Sequence, residues 1–181
     1  MRQTILARRY AKALFAVGKE EGKNEEYGQG LRELAGLFAR LPEMNDALTN
    51  PLYPLEVRIK VMEHLVKAMQ PDAMLGNFLT LLVQKKRADI LPEIAEEFQV
   101  LMDRDQNISR GTVVSAIRLS EELLAKVRGT LEKITGKKVI LTSQVDPSII
   151  GGIIAKVGDL VLDGSIKTQL ADLQESIKGS E

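Results

Sequence analysis

Residues 146–165 read DPSIIGGIIAKVGDLVLDGS, and this stretch decides the fold of the second half of the chain. Two short apolar runs, Ile153–Val157 and residues 160–162, flank Gly158 and Asp159. A two-residue turn that begins with glycine is typical of a β-hairpin. Ser165 suits the N-cap of a helix, and the apolar positions after it recur at helical spacing: Ile166, Leu170, Leu173 and Ile177. We therefore predict a hairpin that is followed directly by a last helix.

The glycines of this stretch raise the alternative of a phosphate-binding loop. A P-loop requires Lys followed by Ser or Thr after its last glycine, at the start of a helix, whereas Lys156 is followed by Val157 inside a predicted strand. A dinucleotide-binding fold places its glycines between a strand and a helix. Gly151, Gly152 and Gly158 instead lie before and between predicted strands. We interpret them as positions of close packing and positive φ.

Upstream of the hairpin, the sequence predicts two further strands around a helix. Residues 112–117 are rich in β-branched side chains, and Lys138–Val145 alternates between two faces. Between them, Ser120 is placed to cap a helix that ends at Gly136. The polar residues before the first strand predict a flexible domain boundary. Residues 106–181 are therefore predicted to form a small α+β domain, which we expect to depend on a partner for full order because its core is small.

The first half of the chain shows a helical spacing of apolar residues throughout. Gly22, Pro42, Pro54, Pro71 and the basic run at 85–87 divide it into six segments, since glycine ends helices and proline suits their first turn. Six helices joined by short loops predict a compact bundle. The predicted fold class is thus mainly α, with an N-terminal six-helix bundle over residues 1–105 and a C-terminal α+β domain.

The composition excludes several classes of function. Lys and Arg number 25, and so do Asp and Glu, which gives a formal net charge of zero, whereas proteins that bind duplex nucleic acid carry a basic excess. The absence of cysteine excludes disulfides, thiolate metal ligands and a cysteine nucleophile. No apolar run approaches the roughly 20 residues that a membrane-spanning helix needs. The N-terminus also lacks the apolar core of a secretion signal.

No set of side chains in the sequence predicts a catalytic or metal site. His64 is the only histidine, and it lacks the second histidine that a zinc-binding helix carries four residues away. The acidic residues 96–97, and Asp103 with Asp105, do not follow the ligand pattern of a calcium loop. The basic run at 85–87 falls at a predicted helix end, where cations offset the helix dipole. We therefore expect no catalytic residue, no bound metal and no cofactor.

Four stretches resemble one known family. ARRYAKALF at residues 7–15 is similar to its first helix, residues 77–98 to its fifth and sixth helices, and residues 113–120 to its central segment. The stretch at 146–166 matches the C-terminal signature of the family in order and spacing, through these residues: Asp146, Gly151, Gly152, Gly158, Asp159, Asp163, Gly164 and Ser165. The family is the delta subunit of ATP synthases, which includes the mitochondrial oligomycin-sensitivity-conferring protein.

The resemblance implies a non-catalytic peripheral-stalk (stator) subunit of a rotary, proton-translocating ATP synthase. In this family the N-terminal bundle sits on the catalytic head and holds the N-terminal helix of an alpha subunit, while the C-terminal domain joins the b subunits of the stalk. The signature residues then have a structural or docking role in that domain. The groove for the alpha helix lies between the first and fifth helices, which here corresponds to Tyr10, Ala13, Leu14, Phe78 and Leu81.

The resemblance also implies a peripheral location at the cytoplasmic face of a bacterial plasma membrane. The helix that starts near Thr4 belongs to the predicted bundle and leaves no room for a transit peptide.

Other interpretations remain open at the level of sequence. Ala13 and Leu81 lie off the core stripes of their helices, which suggests a second buried face, but they could equally pack within the bundle. A rival function is an RNA-binding helical bundle similar to transcription antitermination factors, which the zero net charge disfavours. A second rival is an enzyme on a small helical scaffold, for which the sequence offers no catalytic set.

Overall fold

We describe a computed structural model of the chain, in which residues 2–178 are described. Met1 and residues 179–181, at the outer ends of the two predicted domains, lie outside the described residues. The chain divides into two compact units between Met102 and Asp103. Each unit is described separately below.

The first unit is built from α-helices. A single 3-10 turn, Ala88–Ile90, precedes the last of them. The helices are α1 (Arg2–Glu21), α2 (Asn24–Arg40), α3 (Pro42–Thr49), α4 (Leu55–Met69), α5 (Ala73–Gln84) and α6 (Leu91–Asp105), of which the last three residues fall in the second unit. The prediction of six helices in the N-terminal half is confirmed.

The helix boundaries follow from local chemistry. Gly22 adopts a φ of 70° after α1, which suits a residue without a Cβ. Pro42 occupies the first turn of α3, where its missing N–H costs nothing. The Asp72 side chain accepts a hydrogen bond of 2.9 Å from the Met74 amide and so caps α5.

The core of the first unit is aliphatic, with a few aromatic rings at its centre. Tyr27 and Phe98 are fully buried there, and the rings of Phe15 and Phe98 meet edge-on at 5.7 Å. The Tyr27 hydroxyl donates to Glu21 and Asp72, which satisfies its buried polar atom. Burial, together with these acidic neighbours, raises the pKa of Tyr27. All seven aromatic residues of the chain fall within this unit.

The described part of the second unit is a four-stranded sheet with two α-helices and a 3-10 turn, Pro147–Ile149. Its elements are β1 (Ile108–Ser115), α7 (Glu121–Thr135), β2 (Lys138–Val145), β3 (Ile153–Val157), β4 (Leu160–Asp163) and α8 (Ile166–Lys178). The strand order is β2-β1-β3-β4, with β1 and β2 parallel and the other pairs antiparallel. The predicted second strand, the hairpin and the last helix are confirmed. Ser120 caps α7 and Gly136 ends it with a φ of 67°, as predicted.

The prediction for the start of this unit was wrong. The first strand begins at Ile108 and ends at Ser115, whereas the sequence indicated residues 112–117 after a flexible stretch. Pairing with the parallel strand β2 explains why β1 starts earlier than predicted. Ile108 lies opposite Lys138, and the following residues of the two strands pair in register. The guanidinium of Arg110 also bonds the Asp103 carboxylate, with Nε and Oδ2 2.6 Å apart. The partner strand is distant in sequence, so composition alone does not reveal where β1 begins.

The core of the second unit is small. Among the described side chains of this unit it consists of five, with Leu131 of α7 packed on strand residues Val113, Val139, Ala155 and Val157. None of these residues is aromatic, in contrast to the first unit. A core of this size leaves the unit with a modest stability of its own.

Candidate functional site

An apolar groove runs between α1 and α5 on the surface of the first unit. Its volume is about 420 Å³. The residues of α1 that line it are Ala13, Leu14 and Val17, and those of α5 are Met74, Asn77, Phe78, Thr80, Leu81 and Gln84. We call this surface the α1–α5 groove.

The structure brings four of the five residues proposed from the sequence to this surface and places the fifth beside it. Ala13, Leu14, Phe78 and Leu81 line the groove directly. Tyr10 does not line it; its ring packs edge-on against the ring of Phe78, with the centroids 6.2 Å apart. Tyr10 therefore fixes the orientation of a lining side chain.

The groove exists because α1 and α5 each present two apolar faces. On α1, Ala7 and Ala11 are fully buried in the core, while Ala13 is exposed in the groove. On α5, Leu79 and Leu82 are buried, while Leu81 keeps 39% of its surface exposed. The small side chain of Ala13 leaves open the space that a longer one would fill.

Five lining residues were not singled out from the sequence: Val17, Met74, Asn77, Thr80 and Gln84. A signal for the apolar ones existed, because Val17 lies four residues after Ala13, and Met74 lies seven before Leu81. Residues at these separations share a helix face. Asn77 and Gln84 are exposed and make no side-chain hydrogen bond within residues 2–178. Their amide groups are available to a bound chain.

In the second unit, the signature residues Asp163 and Ser165 form a helix cap. The Asp163 carboxylate accepts from the Ser165 amide at 2.8 Å and from the Thr168 hydroxyl at 2.8 Å. The Ser165 hydroxyl in turn accepts from the Thr168 amide at 3.2 Å. These bonds hold the pKa of Asp163 below its usual value. Similarly, the hydroxyl and amide of Ser148 lower the pKa of Asp146.

Three of the signature glycines lie where a side chain would be strained or crowded. Gly152 has a φ of 81°, and a Cβ there would lie 2.2 Å from the carbonyl oxygen of Gly164. Gly158 has a φ of 58° in the turn that it forms with Asp159 between β3 and β4. A Cβ on Gly151 would meet the Ile166 side chain at 2.7 Å. The Gly151 amide donates to the Ile149 carbonyl at 2.7 Å, which leaves it unavailable to a phosphate.

The remaining candidate groups are scattered. His64 is exposed on α4, with Nδ1 3.1 Å from the Lys60 carbonyl oxygen. Among the side chains that the structure describes, no three from His, Asp or Glu converge in a way that would hold a metal ion. Over the same residues, no helix has both the length and the hydropathy to cross a bilayer.

Comparison with known proteins identifies the family. The family model described as "ATP synthase delta (OSCP) subunit" matches residues 6–177. The chain belongs to this family. It is 66% identical to the ATP synthase subunit delta of Desulfotalea psychrophila, over 100% of both chains. It is 43% identical to the subunit delta of Desulfosudis oleivorans, over 100% of this chain and 99% of that one.

A solved structure agrees with this assignment. A chain of the mitochondrial ATP synthase hexamer of Toxoplasma gondii is similar in fold, with a TM-score of 0.72 and 25% sequence identity. The match covers 95% of this chain and 97% of that chain. As a delta (OSCP) family member, the protein is a structural subunit of the peripheral stalk of an F-type ATP synthase and is not itself catalytic. It is associated with the membrane peripherally, through that complex.

Proposed function

We propose that the protein links the catalytic head of the synthase to its stalk through two separate contacts. The first unit binds the N-terminal helix of an alpha subunit in the α1–α5 groove, and the second unit binds the C-terminal region of the b subunits. The link keeps the head from turning with the central shaft during proton-driven ATP synthesis. The observation that carries the proposal is the open apolar groove between α1 and α5.

The chemistry of the groove suits an amphipathic helix. Leu81 and Met74 provide exposed apolar surface along α5, and Ala13 leaves room for a side chain of the incoming helix. Anchors at i, i+3, i+4 and i+7 enter such a groove together. A connector under mechanical load must bind tightly, and nanomolar affinity corresponds to about 12 kcal/mol. A well-packed interface of about 1,600 Å² supplies this.

A peptide of the first ~20 residues of the cognate alpha subunit, a length that spans about 30 Å as a helix, tests the groove. The amide NMR signals of α1 and α5 should shift on binding. Ala13→Glu places a charge in the groove and should weaken binding at least tenfold, which is about 1.4 kcal/mol. Ala16→Glu is the matched control, because Ala16 is exposed on the same helix but does not line the groove. Shifts that avoid both helices, or equal effects of the two variants, would refute the assignment.

The stalk contact is proposed for the hairpin and last helix of the second unit. Val161, Leu170 and Leu173 each keep more than half of their surface exposed there, which is unusual for large apolar side chains on consecutive elements. A fragment of residues 1–105 should keep alpha-peptide binding and lose binding to the b subunits. If the fragment loses the alpha peptide instead and keeps the b subunits, the two domain roles are reversed.

We place this assembly at the cytoplasmic face of a bacterial plasma membrane. The similarity to the Desulfotalea and Desulfosudis subunits supports this location. In fractionated cells of the source organism the chain should sediment with inverted membrane vesicles and be digested by added protease. Protection from protease in inverted vesicles would place it on the opposite face.

A further inference from the structure

The second unit has an apolar slot beside α7, on the face of the sheet that α7 covers. The slot has a volume of about 420 Å³. It is lined by Lys126, Val127, Thr130 and Leu131 of α7, by Ile153 and Ala155 of β3, and by Leu162, Asp163 and Gly164 at the end of β4. We call it the hairpin slot.

The slot arises because one helix is too narrow for this sheet. Neighbouring strands lie about 4.8 Å apart, so four strands span about 15 Å, while a helix with its side chains is about 10–12 Å wide. α7 packs mainly against β2, at one edge of the strand order. α7 therefore leaves part of the face above β3 and β4 uncovered. Ala155 and Leu162, which pair across the hairpin, form its floor.

The described apolar side chains of the α8 stripe are largely exposed. Ile166, Leu170 and Leu173 are 42%, 54% and 58% exposed. Of the described side chains, none from α8 lines the slot or joins the core of the unit. An amphipathic surface helix ordinarily buries its apolar stripe against the rest of the domain.

The start of α8 is fixed at the end of the slot. The Ile166 amide donates to the Gly151 carbonyl at 3.0 Å, and the Gly164 amide donates to the Ile153 carbonyl at 2.9 Å. Only Gly164 and Ser165 separate β4 from α8. The cap bonds among Asp163, Ser165 and Thr168 lie within this short segment. These bonds all lie at or before the first turn of α8.

We propose that α8 is a closing helix, which pivots about its first turn and lays its apolar stripe into the hairpin slot of the same chain. The stripe and the slot are both apolar, and the two-residue connection gives α8 a far higher effective concentration at the slot than any separate chain has. Closure covers the exposed half of the sheet face and hides Leu170 and Leu173, so the closed form and the stalk contact proposed at these two residues exclude each other. The inference rests on the residues of this chain and not on the proposed contacts with other subunits.

Disulfide trapping in the full-length chain tests closure, because the protein has no cysteine of its own. Thr130→Cys combined with Leu173→Cys places one thiol at the slot and one on the stripe. The control pair combines Thr130→Cys with Gln174→Cys, whose side chain points about 100° away from the stripe. A disulfide requires Cα atoms within about 7 Å, so the first pair should form an intramolecular bond about tenfold faster than the control.

The disulfide test changes the stripe itself, because Leu173→Cys replaces a leucine by a shorter side chain. A second measurement therefore uses the unsubstituted chain. Methyl-labelled protein should show NOE contacts between the Leu170 or Leu173 methyls and those of Val127 or Leu162. Absent NOE contacts together with equal rates for the two cysteine pairs would overturn the proposal. Disulfide-linked dimers in place of the intramolecular bond would also overturn it, because they assign the slot to a second copy.

Discussion

The replacement Gly152→Ala is the sharpest test of how the second unit holds together. Gly152 has a φ of 81°, and the added Cβ would lie 2.2 Å from the Gly164 carbonyl oxygen and 2.9 Å from the Ser165 Cα. Both neighbours are backbone atoms, so no side-chain rotation relieves the contact. A left-handed conformation costs an L-residue about 1–2 kcal/mol, and overpacking adds about 1–3 kcal/mol. The expected loss is therefore about 2–5 kcal/mol.

This loss is large for the second unit. At about 0.05–0.15 kcal/mol per residue, a unit of its length has a stability of roughly 4–12 kcal/mol. Two alanine replacements separate the causes. Gly158 has a φ of 58°, but an added Cβ there would meet open space. In Gly158→Ala, backbone strain alone should therefore cost about 1–2 kcal/mol. Gly129→Ala lies in α7 with open space and should gain about 0.5–1 kcal/mol.

The assay must report on the second unit alone. Tyrosine fluorescence does not, because every aromatic residue lies before Asp103. Urea titration followed through the amide signals of β1 and β3 should give a lower midpoint for Gly152→Ala, while the tyrosine signal of the first unit stays unchanged. If Gly152→Ala costs no more than Gly158→Ala, the contact with Gly164 does not constrain the fold and the reasoning fails.

Three further predictions concern the first unit, each measured by urea unfolding. Tyr27→Phe should lower its stability by about 1–2 kcal/mol, because the hydroxyl bonds to Glu21 and Asp72 are lost in the core. Hydrogen bonds from Lys23 and from the Met74 amide lower the pKa of Asp72 in the folded chain. The Asp72 carboxylate therefore stabilises the fold at a pH above its pKa in the unfolded chain, and this contribution is lost as the pH falls through its pKa in the folded chain. Asp72→Asn should therefore destabilise the chain near neutral pH and flatten its acid dependence; an unchanged acid slope would contradict this. Leu52→Ser should stay within about 0.5 kcal/mol of the parent, since Leu52 is 86% exposed, and a larger loss would reveal an unrecognised contact.

Much of the fold follows from local sequence signals. Helical spacing and the positions of Pro42, Pro54 and Gly136 predict elements that the structure contains, because capping and φ preferences act within a few residues. The start of β1 did not follow, because Ile108 joins the sheet through a partner strand that lies about thirty residues later, at Lys138. Strand propensity depends on such neighbours more than helix propensity does.

The α1–α5 groove shows the same limit within the candidate site. Ala13 and Leu81 could be identified from the sequence, because apolar residues outside the core-facing stripe of a helix indicate a second contact. Ala13 and Leu81 line the same groove only because α1 and α5 are rotated so that these faces adjoin. Contacts between residues far apart in sequence determine this rotation, such as the Tyr10 ring on Phe78 and the Arg8 guanidinium on Glu97. A sequence pattern thus identifies which faces lack a partner, and packing decides which of them face each other. The stripe of α8 is the remaining case: the sequence shows the apolar face, and packing decides what covers it, for which we propose the hairpin slot.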